Sequence, residues 1–369
     1  MIHRIITKSL TAHDKSILLL GPRQTGKSTL ISSLKPDLKI DLADEEAFLN
    51  YASQPALLKE VIERLKPKTV FIDEIQRLPK LLNSTQSIID NQKNIRFYFT
   101  GSSARKLKKG KANLLPGRII SLNIGGLISA ELNYKIDQNK VLSFGSLPGI
   151  YTSDNSSLIK KILKTYTGIY LKEEIQAEAL TRDLPSFSRF LVQCCHSNGL
   201  FIDYSKFSIK AKIPRLAVTR FFEILEDTMI GFRLFPANDI WENFDLIKHP
   251  KFFLFDTGVY NSLVGNFNPS HDRLGILTEQ VFFNQVTYSA WAKDLEITPY
   301  TFRTRAGREI DFIFKIENNI FAIEVKSADA IIDSNVSSLA YLKSHDQKVI
   351  PILAHFGKVE KSINGIPCL

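Results

Sequence analysis

Short, mainly apolar runs recur along the first third of the chain at residues 17–20, 69–72, 95–99 and 119–122. Runs of four or five apolar residues without polar alternation predict strands buried on both faces, as in a parallel sheet. The first run, opened by Ser16, is followed by a glycine-containing loop and then by helical spacing over 29–34. This strand, loop and helix sequence, repeated strands and intervening amphipathic stretches predict an α/β core. Small and polar residues then cluster at Gly145, Pro148, Gly149 and 153–157, as expected of a junction.

Helical spacing resumes over 158–178, 186–196, 203–212 and 214–227. The last two segments, separated by a short turn, fit a helix-turn-helix whose second helix carries Arg215, Thr219 and Arg220. Mainly apolar runs at 229–235 and 251–255 are placed as the strands of a wing, giving a helical, winged-helix-like middle. Such a module serves DNA contact or simple packing, and Phe221, Phe222, Ile224 and Leu225 are core positions under either reading. Beyond it, residues 307–314 and 320–327 flank a Glu317-Asn318-Asn319 turn and predict a β-hairpin.

Composition narrows the class. The 369 residues are 44% hydrophobic and 23% charged, enough for two or three ordinary globular cores. No window approaches the roughly 18 apolar residues of a membrane span. Met1-Ile2-His3-Arg4, followed by Lys8, His13 and Asp14, lacks the apolar core of a signal peptide. Three cysteines, two adjacent at Cys194 and Cys195 and one at Cys368, make neither a disulfide framework nor a four-ligand zinc site. The expectation is a cytoplasmic protein without a membrane partner. A net charge of +10 allows a polyanion such as DNA as partner and also serves plain solubility.

The chemistry begins at Gly21-Pro22-Arg23-Gln24-Thr25-Gly26-Lys27-Ser28, which satisfies GxxxxGK[ST], with Thr29 opening the helix. Gly21 and Gly26 let the backbone curl so that amide hydrogens face phosphates, Lys27 reaches the terminal phosphates, and the Ser28 hydroxyl ligates Mg²⁺. The second strand ends in Asp73-Glu74. At the C-terminal edge of a parallel sheet, Asp73 completes the Mg²⁺ shell and Glu74 polarises the attacking water; an acidic helix cap is the competing reading. The third strand runs into Thr100-Gly101-Ser102-Ser103, where Thr100, Ser102 and Ser103 are equal candidates for a nucleotide sensor, beside plain turn chemistry. The expected ligands are ATP and Mg²⁺.

The Gly-Pro-Arg-x-x-Gly-Lys-Ser loop, the Phe-Ile-Asp-Glu-Ile-Gln strand end and the Thr-Gly-Ser-Ser turn resemble the prokaryotic AAA-type P-loop ATPases with a compact N-terminal core. The resemblance implies a parallel-sheet ATPase core over 1–130 and a separate C-terminal region of unknown function. It also implies an arginine offered to a neighbour's γ-phosphate, with Arg118 and Arg105 as candidates, and hence a homo-oligomer. Between them, residues 105–111 carry five cations without an acid, either a phosphate-tracking loop or a solvated one.

In the C-terminal hairpin, Glu324 and Lys326 share a strand face by their period of two, and Asp311 on the neighbouring strand reaches it. Two carboxylates and a lysine in an apolar sheet are expensive unless something uses them. The acids would bind a divalent metal, Mg²⁺ or Mn²⁺, while the lysine orients water; an internal ion pair is the competing reading. This D…ExK arrangement resembles the restriction-endonuclease-like nucleases. That resemblance implies a supporting glutamate on a preceding helix, for which 277–282 offers Glu279. Arg303, Arg305 and Arg308 add positive charge before Asp311. The expected organisation is an AAA-type core (1–130), a junction (131–165), a winged-helix-like region (166–257) and a restriction-endonuclease-like α/β domain (258–369). Two functional classes remain: an Mg²⁺-dependent ATPase acting on DNA, with metal-dependent cutting, and a nucleotide-switched regulator or scaffold that binds DNA or protein without cutting.

Overall fold

The computed structural model describes residues 2–91, 94–102, 117–170, 184–328, 330–357 and 359–369. The expected basic loop at 105–111, Arg105 and Ser103 lie outside them. Two compact units emerge. One comprises Met1–Leu127 with the short segments Asp227–Ile230 and Trp291–Asp294; the other comprises Ile128–Glu226, Gly231–Ala290 and Leu295–Leu369.

The first unit is built on five strands: β1 (Ser16–Leu20), β2 (Leu38–Asp41), β3 (Thr69–Asp73), β4 (Arg96–Gly101) and β5 (Ile119–Asn123). They form one sheet in the order β2-β3-β4-β1-β5, every neighbouring pair parallel. All five residues of β1 are buried, the expected outcome for a central strand covered on both faces. Ile17 and Leu19 pack with Leu30 and Ile31 of the helix Lys27–Ser33, which the chain forms immediately after the loop. Because the strands are parallel, the C-terminal ends of β1, β3 and β4 share one edge, and the motif residues follow from those ends.

The second unit holds an eight-stranded mixed sheet. Its strands are β6 (Gly231–Pro236), β7 (Lys251–Leu254), β8 (Ile297–Arg303), β9 (Glu309–Ile316), β10 (Asn319–Lys326), β11 (Val349–His355), β12 (Lys361–Ile363) and β13 (Ile366–Cys368). The order is β12-β13-β11-β10-β9-β8-β6-β7. Strands β8, β9 and β10 form an antiparallel meander, and β11 returns parallel to β10 after the helix Ser337–His345. Leu339 and Leu342 of that helix join one core with Ile310, Ile313 and Leu353. A second core stacks Phe283, from the helix His271–Ala292, on Phe253 at 5.3 Å and 20°.

Two of the expected helices form as Tyr204–Ala211 and Arg215–Asp227, separated by a short turn. Asp203 caps the first helix by accepting from the Ser205 and Lys206 amides at 2.9 and 3.1 Å. Their core is aromatic: Phe190 meets Phe222 edge-on at 4.8 Å and Phe207 at 5.4 Å. The two expected wing strands do pair antiparallel, Gly231 opposite Leu254. They are not a free wing, however, because Phe235 of β6 pairs with Tyr300 of β8 and joins the hairpin to the large sheet.

The stretch expected as a junction, 131–165, is structured instead. It carries the helices Gln138–Phe144, Pro148–Tyr151 and Ser156–Thr165. The Asn261 side chain donates to the carbonyls of Leu142 and Ser143 at 2.8 and 2.9 Å. Gly258 lies so close that a Cβ there would stand 1.9 Å from the Phe144 carbonyl oxygen. Asp256 fastens the same region, accepting from the Ser146 and Val259 amides at 2.8 and 3.1 Å. Burial pushes its carboxyl up to about 6, against the pull of those amides. A folded value above the unfolded one means that this contribution is complete below the unfolded pKa and is lost as pH rises through about 6. The stability advantage of the native protein over Asp256→Asn, from urea unfolding, should therefore be about 2 kcal/mol larger at pH near 4.5 than near 7.5. An advantage that is flat or grows with pH would contradict this.

Candidate nucleotide site and acidic cluster

The loop after β1 is already curled. The Gly21 amide donates to the Gly101 carbonyl at 3.2 Å, and a Cβ on Gly21 would lie 2.2 Å from the Ile124 carbonyl oxygen. Gln24 and Gly26 take positive φ, 65° and 87°, and bend the backbone into the helix. The Thr25 hydroxyl donates to the Pro22 carbonyl at 2.8 Å. Lys27 is buried, its Nζ donating to the carbonyls of Gly21 and Pro22 at 2.8 and 2.9 Å. Its ammonium therefore sits inside the ring of backbone that the motif predicts around phosphates.

Ser28, 45 residues before Asp73 in the chain, donates from Oγ to Asp73 Oδ1 at 2.9 Å. Thr100 also donates to Asp73 Oδ1, and accepts from the Glu74 amide at 3.2 Å. Of the two described candidates at the end of β4, Thr100 and Ser102, Thr100 thus joins the two carboxylate-bearing residues. Ser102 instead accepts from Gln76 Nε2 at 3.1 Å. Glu74 has a left-handed backbone, φ 56° and ψ 43°, a conformation that costs a non-glycine residue on the order of 1 kcal/mol. Its carboxylate accepts from Gln76 Nε2, so the side chain is held beside the Asp73 end of β3. A hydroxyl and a carboxylate converging at one point fit the hard-oxygen preference of Mg²⁺.

Arg4, which no motif flagged, is buried against the loop. Its guanidinium donates to the Thr25 carbonyl at 2.7 Å and to the Gly125 and Gly126 carbonyls at 3.0 and 3.1 Å. It ties the phosphate loop to the chain beyond β5. Arg4→Ala should weaken ATP binding about tenfold, the equivalent of one charge-assisted hydrogen bond, and Lys at this position should rescue little because it lacks the fork. Titration with a fluorescent ATP analogue checks this, and unchanged affinity would leave Arg4 a purely structural residue. Arg118 is engaged within its own unit, its Nε 2.6 Å from Asp90 Oδ1 and a terminal nitrogen 3.0 Å from Oδ2.

The second unit brings together Glu279, Asp311, Glu324 and Lys326, with a fifth residue that sequence reading missed, Lys251. Glu279 lies one helical turn before Phe283, on the sheet-facing side of its helix. Lys251 Nζ is 2.7 Å from Glu279 Oε2 and 3.7 Å from Asp311 Oδ1. The other Asp311 oxygen accepts from the Val325 amide at 2.8 Å, and Lys326 Nζ holds Glu324 Oε1 at 2.5 Å. Burial lifts the Glu279 carboxyl to about 7, with Lys251 opposing and Asp311 adding to the rise. Burial and the Asp311 charge likewise lift Glu324 to about 7. Burial alone would lower the Lys251 ammonium, but Glu279 and Asp311 outweigh it and its pKa is raised.

The second divalent ion expected on Glu279, Asp311 and Glu324 does not fit. No group of three His, Cys, Asp or Glu side chains among the described residues is arranged to hold a metal. Glu324 Oε2 is buried without a hydrogen-bond partner, but Glu279 Oε2, Glu324 Oε1 and Asp311 Oδ2 are engaged by Lys251, Lys326 and the Val325 amide.

Comparison with known proteins places three family models on the chain. Residues 13–133 match an AAA domain, residues 136–270 a domain of unknown function (DUF8612), and residues 274–367 a second one (DUF4143). The N-terminal unit thus carries an AAA-type P-loop domain, the ATP-binding class its loop and strand ends indicate. No curated protein gives a significant match. Among solved structures, the chain is similar to the replication initiator DnaA bound to AMPPCP and single-stranded DNA. Identity is 11%, with 60% of this chain and 86% of that chain covered and a TM-score of 0.30. It is also similar to a DNA replication initiation factor, at 13% identity, 61% and 75% coverage and a TM-score of 0.25. A third structure, protein VC1899 from Vibrio cholerae, shares 11% identity over 93% of this chain and 89% of that chain, at a TM-score of 0.18. Among the described residues no helix is long and apolar enough to cross a membrane.

Proposed function

We propose that this protein binds ATP with Mg²⁺ and hydrolyses it, with Glu74 as the base. The observation that carries the reading is the linked set Ser28, Asp73, Thr100 and Glu74 at one sheet edge, beside the buried Lys27. The loop amides and Lys27 hold phosphate, and Ser28 and Asp73 would hold the magnesium ion. Bound magnesium would supply charge neutralisation at the phosphate oxygens. Thr100 keeps Asp73 and the Glu74 backbone in register, and Glu74 takes the proton of the attacking water. Release of inorganic phosphate from Mg²⁺-ATP, wild type beside Glu74→Gln, is the test.

The nucleotide cycle acts, in this reading, on DNA. The net charge of +10 supports a polyanionic partner, as do the exposed Lys206, Lys210, Lys212 and Arg215 on the two-helix segment. The order helix, three antiparallel strands, helix, parallel strand in the second unit supports a restriction-endonuclease-like fold there. A shared fold does not carry the chemistry with it.

A further inference from the structure

The acidic cluster of the second unit would need a divalent cation to serve as a nuclease centre, yet a cation of the protein's own stands in it. Lys251 opens β7, an edge strand of the sheet, and its side chain is only 4% exposed. Burying an ammonium this completely is costly unless it is paired. Here the pairing is complete in kind. Glu279 accepts a short charge-assisted bond, Asp311 lies at the edge of ion-pair distance, and the rings of Phe253 and Phe312 each lie 5.5 Å from Nζ. Those ring faces favour an ammonium and give nothing to Mg²⁺ or Mn²⁺, which demand several oxygen ligands at close to octahedral geometry.

We propose that Lys251 is a resident counter-ion that occupies the position a catalytic metal would take between Glu279 and Asp311, so that this domain engages its partner without metal-dependent cutting. Lys326 plays the same part for Glu324, leaving two ammonium groups facing three carboxylates. The motif Asp311, Glu324, Lys326 is intact in sequence, but an ammonium from 60 positions upstream stands 3.7 Å from its first carboxylate and is bonded to Glu279 beside it.

The inference concerns a different site from the ATPase reading and is tested without nucleotide. In the full chain carrying Asp73→Asn, which removes the magnesium ligand of the nucleotide site, Mn²⁺ binding is followed by electron paramagnetic resonance. The expected result is no bound ion with native Lys251 up to about 1 mM Mn²⁺. Lys251→Ala and Lys251→Gln should each gain one ion, a gain of at least tenfold in affinity, and lose it again when Asp311→Asn is added. One ion bound while Lys251 is present, and released by Glu279→Gln, would overturn the proposal. So would folded Lys251 variants that bind none. If neither Lys251 variant folds, Glu279→Gln alone decides. Lower thermal stability at every Mn²⁺ concentration supports a Lys251 pair, whereas stabilisation by Mn²⁺ that only the native Glu279 shows overturns it.

Discussion

Glu74→Gln should bind Mg²⁺-ATP with wild-type affinity while phosphate release falls by about 100- to 1,000-fold, the range for removing a positioned general base. The exchange keeps the size and one hydrogen-bond acceptor of the side chain but removes its capacity to take a proton. Its backbone is fixed independently of the carboxylate, since the Glu74 amide donates to Thr100 Oγ1 and Thr100 in turn donates to Asp73. Ser28 and Asp73 are likewise joined to each other and not through Glu74. Binding and metal ligation should therefore survive, and the loss should lie in turnover. Phosphate-release kinetics and titration of a fluorescent ATP analogue separate the two. Unchanged turnover would remove Glu74 from the base role, and lost binding would make it part of the nucleotide pocket.

The gathering of the loop and the Asp73-Glu74 strand end at one sheet edge was legible in the sequence because its parts are local. The phosphate loop follows its own strand, and Asp73-Glu74 ends another, so a parallel sheet is enough to bring them to one edge. Arg4 and Lys251 were not legible for the opposite reason. Arg4 acts on carbonyls 121 and 122 residues away, and Lys251 on a carboxylate 28 residues on. Nothing local marks either: Arg4 reads as a basic N-terminus, and Lys251 as the solvated first residue of an apolar strand. Their meaning comes from where β5 and β7 fall in the sheets. The junction at 131–165 misled through residue type. Asn155 looks like loop composition, yet its side chain accepts from the Leu158 amide at 3.0 Å and starts a helix. Caps and turns draw on the same residues, because both use a short polar side chain to bond nearby backbone. The wing strands show a third limit. An apolar run marks a strand, but not that β6 has a second neighbour in β8.

Lys27→Ala should abolish useful nucleotide binding, raising the dissociation constant for ATP by at least about 100-fold, or about 2.7 kcal/mol. The ammonium is buried and held against the carbonyls of Gly21 and Pro22, inside the loop that also carries the amides for phosphate. An anion entering that ring meets a charge already desolvated and already in place, so the attraction is strong and little ordering remains to be done. Alanine leaves two loop carbonyls without this donor and presents their negative ends to a triphosphate. The loop itself should persist, because Thr25 bonds Pro22 and Arg4 holds the Thr25 carbonyl independently of Lys27. A thermal melt without nucleotide should accordingly change little, while the stabilisation that ATP gives the wild type should vanish. The pairing with Glu74→Gln makes the result decisive. Glu74→Gln should be stabilised by ATP without consuming it, and Lys27→Ala should be neither stabilised nor active. If Lys27→Ala binds ATP normally, the buried ammonium serves only to brace the loop, and the phosphate site must lie elsewhere.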